Sequence, residues 1–505
     1  MSQTMTTERG QRTDAKTYKN YIGGRWVESK SGKTFTSSNP AHKDQVLGVM
    51  QASNADDINA AIEAAQKMFP HWRHTPAPAR GEICLKAALI IEARKEELAR
   101  LMTQEMGKVL KETRGDVQEA IDMGKYAASF GRRPSGETVP SELRNKKSWT
   151  ERVPLGVIAC ITPWNFPMAI PSWKIFPAVM AGNAVVFKPA SDTPIIATKL
   201  VEIFEEAGLP GGVLNLVTGS GADVGDVLVK DARVQGISFT GSTAAGRHIA
   251  EIAGRDLKRL GLELGGKNAI VVLDDADIPL AVDGALWAAF GTSGQRCTAA
   301  SRLIVDRSVE KDFTDQLQER AGKMKVGDGL QPDTDMGPVI NEAALKKVHE
   351  YTEIGKKEHA RLVHGGEFAG SEGWFYRPTI FADGRKDMRM AQEEIFGPST
   401  LVMPVSNLEE ALDVANSTQY GLSMSIYTND LRKAFHAMEE MQSGIVYVNA
   451  PTIGAEIQLP FGGVKNTGNG HREAGTVALD EFTEWKTIYV DYSGRLQRAQ
   501  IDTGE

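Results

Sequence analysis

Between Ala55 and Phe130 the apolar residues recur at three- and four-residue spacing in three runs, Ala55 to Met68, Arg80 to Met106 and Val109 to Phe130, and each run predicts a helix with one buried face. Ser53-Asn54 stands just before the first, where either side chain can cap the free N–H groups. Met102, Met106 and Met123 fall within the second and third runs and read as residues that fill core gaps. Upstream, Tyr18-Lys-Asn-Tyr-Ile-Gly-Gly-Arg-Trp-Val27 alternates aromatic and polar positions around Gly23-Gly24, the pattern of a small hairpin. After Pro134 and Pro140 the stretch Ser141 to Arg152 is polar and reads as an exposed strand, and Trp485 to Asp491 is a second short strand. An exposed strand invites pairing with another chain, so these distant pieces are expected to form one sheet used for oligomerisation.

From Leu155 the pattern changes to short apolar runs alternating with helical ones. The runs are Gly156 to Ile161, Asn183 to Phe187, Val213 to Val217 and Gly236 to Phe239, with a helix such as Pro194 to Ala207 between them. That alternation predicts an α/β fold with a parallel sheet covered by helices on both faces, in which ligands bind beyond the carboxyl ends of the strands. Polar and glycine residues do follow each run: Thr162-Pro-Trp164, Lys188-Pro-Ala-Ser191, Gly219-Ser-Gly221 and Thr240-Gly-Ser-Thr243. A second succession begins at Asn268 to Leu273, continues through Ser301 to Val305 and the helical run Val309 to Met324, and extends to Val448. The break between the two is expected near Gly265-Gly266-Lys267.

A chain of 505 residues is long enough for two or more domains. Its net charge of −7, with both signs interspersed, provides no electrostatic footprint for nucleic acid or an anionic membrane, and points to a small solute as partner. Three separated cysteines, Cys84, Cys160 and Cys297, argue against a disulfide framework and suit a cytoplasmic protein. Residues 1–17 are polar and are expected to be disordered, and no apolar run approaches the ~20 residues a membrane span needs.

Cys297 carries the candidate chemistry. It lies in Phe290-Gly-Thr-Ser-Gly-Gln-Arg-Cys-Thr-Ala299, where small residues let backbone approach closely and backbone N–H groups can face an incoming carbonyl. The common alternative for a free cysteine is a small buried hydrophobe. Neither Gly-x-Gly-x-x-Gly nor a Walker loop occurs, yet Phe239-Thr-Gly-Ser-Thr-Ala-Ala-Gly246 sets Gly, Ser and Thr where a strand turns into a helix, a place that attracts phosphate. His248, His349, His359 and His364 show no metal-site spacing, so no metal is expected.

Pro163-Trp-Asn-Phe-Pro167, Phe187-Lys-Pro-Ala190, Phe239-Thr-Gly-Ser-Thr243, Leu262-Glu-Leu-Gly-Gly-Lys267, Gly294-Gln-Arg-Cys297, Glu393-Glu-Ile-Phe-Gly-Pro398 and Pro460-Phe-Gly-Gly463 follow one another in this order. With them the chain resembles the aldehyde dehydrogenase superfamily from about Tyr18 to Val490. The resemblance implies a Rossmann-like NAD(P)-binding domain (18–140 and 156–265), an α/β catalytic domain (266–455), an oligomerisation arm (141–155 and 484–505) that makes a homodimer or homotetramer, and a return segment (456–483) that completes the active site. It assigns Cys297 as nucleophile, Asn165 as oxyanion donor, Glu263 as general base, and Lys174 with Glu473 as a proton-relay pair. For NAD or NADP it implies Lys188 at the adenosine ribose, Gly241 and Ser242 at the pyrophosphate, Glu394 at the nicotinamide ribose with Phe396 beside it, and Thr162, Trp164, Ser191 and Gly225 around them.

Two departures stand out. Relatives that prefer NAD often carry Glu where this chain has Ser191, so repulsion of a 2′-phosphate is removed and NADP use is expected, unless Asp192 turns inward. His471 stands between Gly470 and Arg472, where relatives run from Gly directly to Arg. Asn449 to Gln458 and Lys465 to Glu473 look more like semialdehyde dehydrogenases acting on oxo- or amino-dicarboxylic semialdehydes than like fatty or betaine aldehyde enzymes; 2-oxoglutarate semialdehyde stands first, α-aminoadipate semialdehyde, succinate semialdehyde or general aliphatic aldehydes are the alternatives, and Arg296 or the Gly454-Ala455 backbone is the anchor for a substrate carboxylate. Rivals are a thioester hydrolase without net oxidation and a binding protein that has kept only the fold.

Overall fold

Two seven-stranded sheets carry the chain, and the candidate site residues gather where it passes from one to the other. The computed structural model describes residues 15–133 and 135–503. Across the first sheet the strands run Arg259–Glu263, Val234–Thr240, Val157–Ile161, Ala184–Lys188, Leu214–Leu216, Asn20–Ile22 and Arg25–Val27. The first five pair in parallel. Val157–Ile161 and Ala184–Lys188 are buried along their whole length, which explains their continuous apolar runs. The N-terminal hairpin extends this sheet through Tyr21, which pairs with Leu216.

The second sheet has the order Arg361–His364, Thr379–Ala382, Ser399–Val405, Ala300–Asp306, Asn268–Val272, Ser423–Tyr427 and Ile445–Val448, parallel except for its first pair. A third, small sheet joins Thr138–Val139, Lys146–Pro154 and Thr483–Asp491, the last two antiparallel over nine residue pairs. Its outer strand leaves Trp485, Tyr489 and Val490 exposed.

Asn54 caps the helix Ala55–Arg73, accepting from the N–H groups of Asp56 and Asp57, while the Asp57 carboxylate accepts from the Asn54 N–H. The expected helix Arg80 to Met106 is two, Ala77–Ala93 and Lys95–Met106. At Arg94 (φ −103, ψ 14) the N–H turns to the carbonyls of Ile90 and Ile91. The apolar spacing runs across the break because Cys84, Ala87 and Ile91 before it, and Leu98 and Met102 after it, join one core with the helix Leu110–Ser129. A hairpin not anticipated from the pattern, Thr34–Asn39 with His42–Gln51, holds the start of the described chain: Val49 donates to Lys16 O at 3.0 Å and Tyr18 donates to Val49 O at 2.8 Å. Of the stretch 1–17 expected to be disordered, Lys16 and Thr17 are therefore paired, and residues 1–14 lie outside the described residues.

Candidate active site

The helix Ile278–Phe290 ends against a tight turn in which Thr292 (φ 55), Ser293 (φ 56) and Gly294 (φ 69) are all left-handed. Two non-glycine residues in that region cost about 1–3 kcal/mol each, so the surroundings must enforce the turn. They do: Glu112 accepts from the Thr292 N–H at 2.8 Å, the Ser293 hydroxyl donates to Gly337 O at 2.7 Å, and the buried Gln295 side chain accepts from the Ile340 N–H at 2.9 Å. Beyond the turn, Asn268 donates to the carbonyls of Cys297 (2.7 Å) and Ala299 (3.0 Å), and Thr452 donates to Thr298 O at 2.7 Å. Gly266 closes the back, where a Cβ would lie 2.3 Å from the Cys297 carbonyl oxygen.

Cys297 reaches a cavity lined by Phe166, Ile170, Trp173, Glu263, Ile453 and Phe461. Burial, then the nearby Glu263 and Glu394 carboxylates, push its thiol up to about 12. Glu263, the last residue of its strand, is buried with neither carboxylate oxygen hydrogen-bonded. Burial first, and Glu473 second, raise its pKa well above the usual carboxylate range. Asn165 uses one amide N–H on Gln295 O at 3.1 Å, which leaves the other for a ligand.

Lys174, from the helix Ala169–Ala181, pairs with Glu473 and donates to the Ser238 hydroxyl at 3.0 Å. Glu473 is held by reciprocal backbone bonds of 2.7 Å to Phe461, so His471 does not displace it. Arg296 is a brace: its guanidinium donates to Thr292 Oγ1 at 2.9 Å and Glu112 at 3.1 Å and lies against Phe166 and Trp287. A larger cleft of about 850 Å³ beside Lys111, Trp287 and Gln331 contains none of the candidate catalytic or cofactor residues.

The cofactor candidates gather at the carboxyl ends of the first sheet and across from them. Lys188 ends its strand, donates to Pro189 O at 2.9 Å, and is lowered to about 8 by burial against the opposing effect of Asp192. Ser191 donates to Gly219 O at 3.0 Å, and Asp192 is taken by Asn341 at 2.8 Å. Gly241 precedes Ser242, which caps the helix Thr243–Arg255 by accepting from the Ala245 N–H. Gly225 closes the turn Gly221–Gly225, where a Cβ would meet nothing within 4 Å. Glu394 accepts from the Gly266 N–H at 3.0 Å, and Phe396 (φ 60) meets Trp164 edge-on at 5.5 Å. The buried hydroxyls of Thr162 and Thr240 have no partner. Orphaned hydroxyls, a capped helix start and an open glycine turn at one sheet edge fit a dinucleotide.

The family model described as "Aldehyde dehydrogenase family" matches residues 26–488. The chain belongs to this family. It is 43% identical to the 2,5-dioxopentanoate dehydrogenase of Saccharolobus solfataricus, over 93% of this chain and 98% of that protein. It is 41% identical to the alpha-ketoglutaric semialdehyde dehydrogenase of Bacillus subtilis, over 95% and 99%. A crystal structure of Staphylococcus aureus betaine aldehyde dehydrogenase in complex with NAD+ superimposes with a TM-score of 0.92 at 35% identity, covering 95% of this chain and 96% of that one.

This aldehyde dehydrogenase is thus an NAD(P)-dependent oxidoreductase acting on the aldehyde group. Among its described residues no helix is long and apolar enough to cross a membrane, and no His/Cys/Asp/Glu cluster could hold a metal. Sequence reasoning missed Asn268, Glu112 and Gln295, which shape the Cys297 loop, and Glu119 at the cavity wall. Asn268 left a signal, a polar residue opening an apolar strand. The others left none, because their partners lie far away in sequence.

Proposed function

We propose that the dehydrogenase oxidises a dicarboxylic semialdehyde such as 2,5-dioxopentanoate through a Cys297 thioester. The Cys297 thiol releases its proton to solvent, so that Glu263 stays free to act as base in the second half of the reaction. The sulfur adds to the aldehyde carbon, and the oxyanion is met by the free Asn165 amide N–H and the Cys297 backbone N–H, donors typically worth ~3–4 kcal/mol. Bound NAD(P)+ supplies the hydride acceptor; Lys188, Gly241, Ser242 and Glu394 are the residues that would hold it, with Thr162, Trp164, Ser191, Gly225 and Phe396 around them. After oxidation Glu263 removes a proton from water, the water oxygen bonds to the thioester carbon, the C–S bond breaks and the acid leaves. The observation that carries this reading is the unpaired, buried Glu263 carboxylate sharing one cavity with Cys297.

For the substrate, support comes from the names of the relatives and from the cavity wall. Gly454 and Ala455 line it, and Gly454 has open space where a Cβ would stand. Burial, then Asp116, push Glu119 up to about 8, which weakens the repulsion this wall residue offers a carboxylate. Arg296, already engaged, contributes its field more than a contact. Steady-state comparison of 2,5-dioxopentanoate with pentanal tests the reading: the dicarboxylic semialdehyde should have the higher kcat/KM, and equal values would overturn the assignment. Ser191 leaves no carboxylate beside Lys188 except the Asn341-bound Asp192, which favours use of NADP+ alongside NAD+. The open edge of Thr483–Asp491 is the surface for a homodimer or homotetramer.

A further inference from the structure

The helix Glu342–Lys357 packs on the core of the second sheet through Val348 and Tyr351, yet the residue that caps it reaches across to the first sheet. Asn341 Oδ1 accepts from the Ala344 N–H at 2.9 Å and Nδ2 donates to Asp192 at 2.8 Å, so the capping bond fixes which way the amide faces. Its backbone neighbours are equally constrained. The Ile340 N–H is bound by the Gln295 side chain at 2.9 Å, and Val339 donates to Trp374 O at 2.9 Å. Asn341 is therefore a fixed donor aimed at a carboxylate just beyond Lys188.

That carboxylate has no structural duty to its own helix. Asp192 stands shortly before Pro194–Glu206, but Glu105 already accepts from the N–H groups of Ile195 at 2.7 Å and Ile196 at 2.8 Å, so the start of this helix is satisfied without Asp192. Burial disfavours the charged form of Asp192, and the Asn341 amide, then Lys188, favour it. Glu105, a second carboxylate close by, repels it. On the other side, Asp192 is the charged group that bears on Lys188, whose ammonium uses one donor on Pro189 O. Ser191, between the two, donates to Gly219 O and adds no charge. With the Asn341 amide removed, Lys188 is the remaining side chain that stabilises the Asp192 charge, and the carboxylate is drawn toward it.

We infer that Asn341 is a positioning residue for cofactor choice: by holding Asp192 it keeps a carboxylate off Lys188 and the adenosine 2′-position, so that the site accepts a 2′-phosphate. This rests on the reading that Lys188 and Ser191 meet the adenosine ribose and that NADP+ is used. A phosphate monoester carries about −1.5 to −2 charges at pH 7, and it needs the Lys188 ammonium unopposed. A 2′-hydroxyl has the reverse preference, since it can donate to a carboxylate. Ser191 removes one carboxylate from this place and Asn341 withholds another. Release of Asp192 therefore favours NAD+ over NADP+ although Asn341 itself touches neither.

Isothermal titration calorimetry with NADP+, NAD+ and two unreactive fragments, adenosine 2′,5′-bisphosphate and adenosine 5′-monophosphate, tests this without turnover, because the fragments differ by the 2′-phosphate alone. Asn341→Ser keeps a capping oxygen at the helix start and removes the amide donor, and Asn341→Asp keeps the cap while setting a second carboxylate against Asp192. Both variants should bind adenosine 2′,5′-bisphosphate and NADP+ roughly tenfold more weakly relative to adenosine 5′-monophosphate and NAD+. Placed on Asp192→Asn, the same replacements should leave that ratio within about twofold of the Asp192→Asn parent. A ratio unchanged in both folded variants, or a shift that persists without Asp192, overturns the role of Asn341 and leaves the cofactor reading intact. Wild type that binds adenosine 5′-monophosphate but not adenosine 2′,5′-bisphosphate would overturn the cofactor reading and the inference together.

Discussion

Two buried ionic clusters flank the Cys297 loop, and they are built in opposite ways. In front of it, Lys108 and Asp116 pair at 2.8 Å with side chains fully enclosed; Asp116 also accepts from the Ala169 N–H at 2.7 Å, and Glu112 ties Thr292 to Arg296. Lys108 and Arg296 meet the Asp116 and Glu112 carboxylates there, with Glu119 beside them, and none of the buried polar side-chain atoms of Lys108, Asp116, Glu112 and Arg296 lacks a partner. Behind it, both Glu263 oxygens, Glu481 Oε1 and His471 Nε2 are unpartnered, although Lys174, His471 and Arg472 stand against the carboxylates of Glu263, Glu473 and Glu481. Saturated hydrogen bonding fixes a shape. Unsaturated polar atoms stay available to a ligand or a proton, at a cost in stability.

The comparison assumes that the rear cluster serves a thiol, and the largest expected effect tests this: Cys297→Ala should abolish oxidation while dinucleotide binding, followed by fluorescence titration, stays within about twofold. Substantial turnover in that variant would remove the purpose of the rear cluster. Next in size, Glu263→Gln should slow acid release by roughly 10²–10⁴-fold and leave the first NAD(P)H burst in stopped-flow absorbance, because an uncharged amide cannot take the water proton. A lost burst would move Glu263 into the acylation step alone.

Lys108→Met reverses the signature. It strands Asp116 in a buried site and should lower unfolding free energy by about 3–5 kcal/mol in denaturant titrations, with the shape of the pH–rate profile unchanged. A shifted profile with little lost stability would show that the front cluster also handles protons. The smallest effect lies outside both clusters: Ser191→Glu should reduce kcat/KM for NADP+ about tenfold relative to NAD+, and no change would mean that cofactor choice is set elsewhere.

The parts legible in the sequence share one property: their cause is local. The parallel strands show as apolar runs because every position of Val157–Ile161 is covered, and Lys188, Gly241 and Ser242 follow strands because the chain must turn there. Cys297, Glu263 and Asn165 are recognisable through short family motifs. What escaped depends on distant partners. Glu112 looks like any acidic residue of a first helical turn, and its role exists only because Thr292, far along the chain, presents an N–H to it. His471 is an extra residue between Gly470 and Arg472, and its partner too lies outside its own motif. In the folded protein Glu473 keeps its place by pairing with Phe461, and the extra imidazole turns aside to Glu481. The break at Arg94 was invisible because two helices sharing one core preserve one periodicity.

Gly266 has a consequence for how this enzyme can diverge. Every other amino acid brings at least a Cβ, and at this position that atom would meet the Cys297 carbonyl at 2.3 Å, whereas at Gly254 on an outer helix it would meet nothing within 4 Å. Both are single glycines in the sequence, yet one codon has no silent neighbour among amino-acid replacements and the other drifts freely. In a deep mutational scan the sharpest intolerance should therefore include a residue with no functional group at all. Its contribution is empty space beside the Cys297 backbone carbonyl, and vacancy of that kind is inherited as strictly as a nucleophile.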